Sequence, residues 1–351
     1  MALLASCSSG VETDPAKQIS EFVGSGPFIF KADEWKPGDK TVYVKNPKYK
    51  PRSEPASGLA GGKVVKVDRV EWLAMPDIQT QVAALQSGEI DMIESVNHDS
   101  LPILEKDKSV RIIAGSTSNQ YVFRMNWLTA PFNNEKVRQA AMVALSQEEF
   151  LQANVGDKRF YRTCKALFTC GTPLASEAGM ADVLNGNAQR ARELLKEAGY
   201  DGTVVVMPQP ADLGVIKQLP VVAKAQLEKA GFKVDLQPMD WQTLVTRRAK
   251  KDAPDKGGWH MFLTAWQTFD VWSPIANPTT DTRGEKSTWF GWATDEKMVG
   301  LRDQFMRATD DATKKKLADQ MHARMFEIGT HVNLGEFDQP MAATKNVSGF
   351  F

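Results

Sequence analysis

The sequence is poor in the patterns that carry metal, nucleophilic or cofactor chemistry. Its four histidines, His98, His260, His322 and His331, fall in no HExxH or comparable ligand spacing. His322 lies among charged residues of a helical stretch and reads as exposed rather than catalytic. There is no GxSxG elbow, no P-loop, and no GxGxxG after a strand; the glycine-rich "GLAGG" at 58–62 precedes a strand instead of joining strand to helix. Acidic residues are plentiful, but none is paired by spacing as general acid and base. An enzyme would therefore lack a nucleophile, a metal cage and a cofactor motif, and neither cofactor nor catalytic residue is expected. Excess charge is missing as well. Lys+Arg and Asp+Glu both number 43, which argues against a nucleic-acid or anionic-membrane partner. No apolar run reaches the ~18 residues that cross a bilayer.

Cysteine is scarce, at three residues. Cys164 and Cys170 stand close together in "YRTCKALFTCGTP" and can close a small disulfide loop if the backbone turns between them. The plainer reading is two separate buried thiols. The disulfide implies an oxidising compartment. Cys7 ends "LASC", which matches a bacterial lipobox and makes Cys7 a candidate for lipidation. Only "MALLAS" precedes it, whereas a signal peptide needs about 7–15 apolar residues in its core. The first ten residues are read as processing-related and left out of the fold.

What is present is an ordinary globular composition, 42% hydrophobic and 25% charged. In "GSGPFIFKADEWKPGDKTVYVKNPKY" two β-prone runs flank the turn residues "KPGD", which predicts a hairpin ending before Pro47. Asp77 can cap a helix that Gly88 stops, and Asn133 or Asn134 can cap another running through "EKVRQAAMVALSQEEFLQAN". From residue 187 onward helix alternates with strand, which predicts βα units around a largely parallel sheet. Two long helices follow, at roughly 295–308 and 312–328, and then the strand "HVNLGEF".

Tryptophan is over-supplied, with nine residues, and Trp127, Trp266, Trp272, Trp289 and Trp292 fall at predicted strand ends. Core packing is the bland reading for most. Trp266 and Trp272 differ, because they flank the polar "QTFD" just after a buried-looking strand, where ligands of open α/β sheets sit.

The order of segments resembles the family 5 extracellular solute-binding proteins, the peptide, nickel and oligopeptide receptors of bacterial ABC importers. Four stretches carry the likeness: the Gly-x-Gly-Pro hairpin, "DIQTQVAALQSGEIDMI", "RMNWLTAPFNNEKVRQAAMVAL" and "NAQRARELLKEAGYDG". The resemblance implies an α/β fold of the two-lobed periplasmic-binding-protein-like type II, with the first lobe incomplete because the hairpin starts so early. Residues 11–124 would form part of lobe one, 125–330 lobe two, and 331–351 a return segment to lobe one. Strands near "YVFRMN" and "HVNLGEF" would link the lobes as a hinge.

The implied function is capture of a small, most simply peptide-like, solute by hinge closure, for delivery to an ABC permease in the inner membrane. The protein would be periplasmic or membrane-anchored and monomeric, unless the incomplete lobe self-associates. The candidate ligand contacts are Tyr121, Arg124 and Asn126, then Gln209, then Trp266, Gln267, Asp270 and Trp272. For Arg124 and Asn126 a structural role weighs almost equally, and for Asp270 so does a cap or surface carboxylate. Peptide-binding members carry an Asp three residues after the strand-end Trp, where Phe269 stands here, and the family pattern favours Asp at His260. Two alternatives stay open: a periplasmic hydrolase on a similar ligand, and a truncated fragment that binds nothing.

Overall fold

The computed structural model describes residues 22–57, 60–113, 118–180, 183–287 and 289–349. Cys7 lies outside them. The chain divides into two compact units, Met1–Ser87 with Asn346–Phe351, and Gly88–Lys345. This division follows compactness and is drawn elsewhere than the lobe limits expected from sequence.

In the first unit, β1 (Phe28–Phe30), β2 (Lys40–Lys45) and β3 (Arg69–Leu73) form an antiparallel sheet in that order. The predicted turn is present: Asp39 N donates to Lys36 O, and Pro47, which cannot donate to a ladder, follows the end of β2. Within these strands only Val42 is fully buried, while Ile29, Trp72 and Leu73 stay exposed. Helix α1 (Ile78–Ser87) starts where Asp77 Oδ1 accepts from Thr80 N at 2.7 Å, and ends before Gly88 in the left-handed region.

The second unit opens with β4 (Met92–Ile93), the single turn α2 (Leu101–Leu104) and β5 (Val110–Ile113). It continues with β6 (Ser118–Met125), α3 (Glu135–Ala144), α4 (Gln147–Asn154) and β7 (Tyr161–Arg162). Then come α5 (Ala188–Glu197), β8 (Val204–Pro210), α6 (Leu219–Lys229), β9 (Lys233–Met239), α7 (Trp241–Arg247) and β10 (Met261–Gln267). The single turn α8 (Thr268–Val271), α9 (Glu296–Arg307), α10 (Asp311–Ile328), β11 (His331–Asp338) and β12 (Met341–Thr344) complete it. Asn134 caps α3 through Lys136 N, and the expected stripe Val137, Ala141, Ala144 and Leu145 is buried. The helix predicted to run on from there is broken: Leu145 and Ser146 are extended, and Ser146 N donates to Gln226 Oε1, so α4 starts afresh.

The sheet expected to be parallel is mainly antiparallel. Its order is β10-β6-β11-β7, and every neighbouring pair is antiparallel. Only β8–α6–β9 makes the parallel βαβ unit that alternation suggested. Alternation counts elements without fixing direction, and β10 pairs with the distant β6 rather than extending the β8–β9 pair. His260 joins the two sheets. Its backbone N donates to Val206 O, its Nδ1 accepts from Val206 N at 2.8 Å, and Nε2 donates to Ala130 O. The residue standing where the family favours Asp is thus a buried clasp. β12, absent from the sequence reading, lies between β4 and β5.

Cys164 and Cys170 are disulfide-bonded, with Cα atoms 5.9 Å apart. His322, expected to be exposed, is completely buried on α10. Its Nδ1 donates to Ala178 O at 2.8 Å and its Nε2 accepts from Leu167 N at 3.1 Å, so both ring nitrogens are matched only when the imidazole is neutral. Burial pushes its pKa down to about 4. The unfolded chain, with the ordinary value near 6.5, then binds more protons than the folded one between these limits. The stability His322 contributes is full above about pH 6.5 and is lost as pH falls toward 4, about 3 kcal/mol across the window. In urea titrations at about pH 7 and pH 4.5, His322→Gln is expected to lose clearly less stability on acidification than wild type. Equal losses would exclude this role.

Candidate functional site

The central strand β6 pairs on both sides, and its register sorts the candidates onto two faces. Across one face run three rows: Phe262, Arg124 and His331; Thr264, Val122 and Asn333; Trp266, Gln120 and Glu336. Tyr121 and Gln267 belong to the opposite face, since adjacent strand residues point opposite ways. There Tyr121 stacks on Phe337, with centroids 4.0 Å apart and planes 15° from parallel, and burial pushes its phenol up.

Arg124 is wholly buried. Its Nε donates to Phe290 O and its Nη1 to Thr330 O, each at 2.7 Å, and its guanidinium lies over the Trp289 ring at 5.1 Å. Burial lowers its pKa to about 9, against the opposing influence of Asp281. Asn126 donates through Nδ2 to Trp259 O and accepts through Oδ1 from Leu128 N. Gln209, on β8, donates to Lys217 O at 3.1 Å.

The C-terminal end of β10 is different. Trp266 is half-buried, its ring 4.7 Å from Trp289, and its indole Nε1 is buried without a hydrogen-bond partner. Directly across the register, the fully buried Gln120 has an unpartnered Oε1, and Arg124 has an unpartnered Nη2 on the same face. Two donors and one acceptor with no partner therefore share one side of the sheet. Unmatched buried groups of this kind cost about 1–3 kcal/mol each, a cost that a ligand supplying the partners would remove.

Gln267 and Asp270 are exposed, and Trp272 and Phe269 are 46% and 43% exposed. Asp270 does not cap α8, because Gln267 holds the cap position; it sits in the first turn with its pKa raised by partial burial. Trp266 and Gln267 end β10, and Asp270 and Trp272 follow in and just after α8, so the four lie along one strand end, Trp266 and Gln267 on opposite faces. A cavity of about 560 Å³ lies elsewhere, along β9 and α7, lined by Gln237, Gln242, Thr246 and Arg247 among others. It contains none of the eight candidates, and the Arg247 donors are already taken by Gln237 Oε1, Gly257 O and Gly258 O. Glu336 lies against Cys164 and Cys170, but sulfurs bonded to each other are not thiolate ligands for a metal.

Residues 1–289 match the family model described as bacterial extracellular solute-binding proteins, family 5 Middle. The chain belongs to that family. It is 35% identical over 339 residues to a probable peptide ABC transporter periplasmic-binding protein, y4tO, of Sinorhizobium fredii, covering 95% of this chain and 64% of that one. It is 24% identical over 333 residues to the glutathione-binding protein GsiB of Escherichia coli K12, covering 94% and 62%. The chain therefore spans somewhat less than two thirds of these relatives.

The fold is that of solved periplasmic binding proteins of type II. Helicobacter pylori DppA in complex with the peptide STSA superposes with a TM-score of 0.75 at 19% identity, over 93% of this chain and 60% of that one. Bacillus subtilis AppA in complex with a nonapeptide gives 0.74 at 21%, over 93% and 64%. Agrobacterium AgaA in complex with agropinic acid, from A. tumefaciens R10, gives 0.75 at 20%, over 93% and 63%. Family 5 members are extracellular or periplasmic binding proteins, and no described helix here is long and apolar enough to cross a membrane.

Sequence reasoning for this family 5 chain missed Gln120 and Trp289. Trp289 packs against the buried Trp259, Phe262 and Trp292, as the core reading expects, and in addition bridges Arg124 and Trp266. Gln120 follows Ser118 and Asn119 at the polar start of β6, so nothing in its sequence neighbourhood singled it out.

Proposed function

We propose that this chain belongs to the solute receptor of a bacterial ABC importer and captures a peptide-like solute at the β10–α8 end of the central sheet. The unpartnered Trp266 Nε1 and Gln120 Oε1, on residues directly opposed in the register, with exposed Trp272 and Asp270 following within six residues of Trp266, carry this reading. Aromatic faces supply contact area at low entropic cost, and the buried donor and acceptor suit the amide groups of a peptide. Asp270, with no cation in ion-pair range among the described residues, suits a protonated amino terminus one position later than the family's usual spacing. The names of the relatives, a peptide receptor and a glutathione receptor, support the same solute class. They are binding proteins and not enzymes, which favours capture over hydrolysis.

In this reading residues 11–124 and 331–351 belong to lobe one and 125–330 to lobe two, and the paired β6 and β11 act as the hinge about which capture proceeds. The closed form would be presented to an inner-membrane permease. Tyr121, Arg124 and Asn126 would brace the site from within, with Gln209 at its margin, while Cys7 would serve as the anchor.

Native mass spectrometry and calorimetry with an equimolar tripeptide pool test the proposal. Wild type should retain tripeptides. Asp270→Ala should weaken free-amine tripeptides about tenfold, roughly 1.4 kcal/mol, and leave N-acetylated ones unchanged, with melting unaltered. No retention and no thermal shift with any tripeptide would sink the reading.

A further inference from the structure

The segment carrying Asp270 and Trp272 is a single helical turn, α8, too short to hold itself. It is gripped from the disulfide loop. Thr169, between the two cysteines, is buried and donates from Oγ1 to Thr268 O, the first residue of α8, at 2.8 Å. The backbone of Thr169 is bent to reach it, with φ at 46°, a left-handed conformation that a β-branched residue avoids unless its surroundings impose it.

The two halves of the loop are held differently. The first half is pinned by buried side chains: Gln147 and Asn333 donate to Cys164 O, Asn333 also to Ala166 O, and His322 accepts from Leu167 N. The half that carries Thr169 is tied back at Cys170 by the disulfide, by Cys170 N donating to Glu336 Oε1 and by Arg162 Nη2 donating to Cys170 O, and Thr172 Oγ1 donates to Phe168 O and Thr169 O; the disulfide is its one covalent tie to the pinned first half. Cys170 is partly exposed, so the bond is open to reductant, while Cys164 is buried. Cleaving it removes the covalent tie beside the strained Thr169 and leaves that half held by hydrogen bonds, among them those at Cys170 and from Thr172.

We propose that the Cys164–Cys170 loop is a redox-sensitive positioning element that sets α8 through Thr169, so that the solute site is ordered only in the oxidised protein. This rests on the reading of α8 as part of the solute site. A dithiol reductant would supply the two electrons and two protons. The Cys164–Cys170 bond breaks to two thiols, and the reductant closes its own disulfide.

Hydrogen-exchange mass spectrometry of the full chain tests the coupling without any solute. Reduction with dithiothreitol, and separately Thr169→Val, should speed exchange in the peptide covering 268–272 by about tenfold, whereas Thr169→Ser, which keeps the hydroxyl, should match wild type. Thr169→Val retains the disulfide and the β-branched shape, so it decides the matter if reduction unfolds the chain. Unchanged exchange in Thr169→Val overturns the inference, as does exchange that rises equally in Thr169→Ser. In the same samples, retention of the tripeptide pool should fall about tenfold wherever exchange rises. Faster exchange with undiminished retention overturns instead the placement of α8 in the solute site.

Discussion

Arg124→Ala is expected to destabilise the second unit by about 3 kcal/mol, with the loss visible in urea denaturation before any solute is added. Two charge-assisted bonds are lost, and the carbonyls of Phe290 and Thr330 are left without them. At ~1.5–3 kcal/mol for each bond to a charged group, the loss is partly offset because a buried guanidinium with one unpartnered nitrogen no longer has to be desolvated. The bonds outweigh the offset because Phe290 and Thr330 belong to chain segments that no ladder rung ties to β6 at those positions. Arg124→Lys keeps the charge without the fork that reaches both carbonyls, so it should recover less than half of the loss. A loss below about 1 kcal/mol in Arg124→Ala would mean that the residue is not the brace described, and a direct solute role would regain weight.

Gly335→Ala should cost a similar amount, about 3 kcal/mol, by a different route. Gly335 lies in the irregular stretch of β11 where three steps along β11, from Asn333 to Glu336, face two along β6. Its φ is +108°, a conformation that disfavours any Cβ, and its N donates to Asn333 Oδ1. An added Cβ would stand 2.5 Å from Leu151 Cδ1 and 2.8 Å from its Cγ. Leu151 is fully buried on α4, so the whole side chain must shift rather than only its tip. A double-mutant cycle with Leu151→Ala separates the two contributions. The clash part should be recovered in the double variant and the backbone part should remain. Strictly additive losses would show that Leu151 is not what the new methyl meets.

Much of the local architecture was legible. Asp77 and Asn134 cap the helices they precede, Gly88 ends one, and Pro47 lies just past the hairpin strand, because each signal acts within about four residues. The strand-end cluster from Trp266 to Trp272 was also readable, since the end of an apolar run followed by polar and aromatic residues is itself a local pattern. His322 was misread because the charges around it say which residues neighbour it in sequence, whereas its burial depends on Leu167 and Ala178, 155 and 144 positions away. The sheet direction was misread for the same reason: β6 draws one partner from each of two remote segments. The grip of Thr169 on Thr268 left no trace in the sequence.

By itself, then, the sequence determined the caps and stops at Asp77, Gly88 and Asn134, that two cysteines stand close enough to join, and which family the chain belongs to. Those properties depend on short-range sterics, caps and ordered motifs. Only the tertiary structure decided that the central sheet is antiparallel, that Arg124 braces carbonyls 166 and 206 positions away, and that Trp266 pairs across from Gln120 with the Trp266 Nε1 and Gln120 Oε1 unmatched. Pairings of that range are set by which surfaces bury one another, and no window along the chain contains both partners.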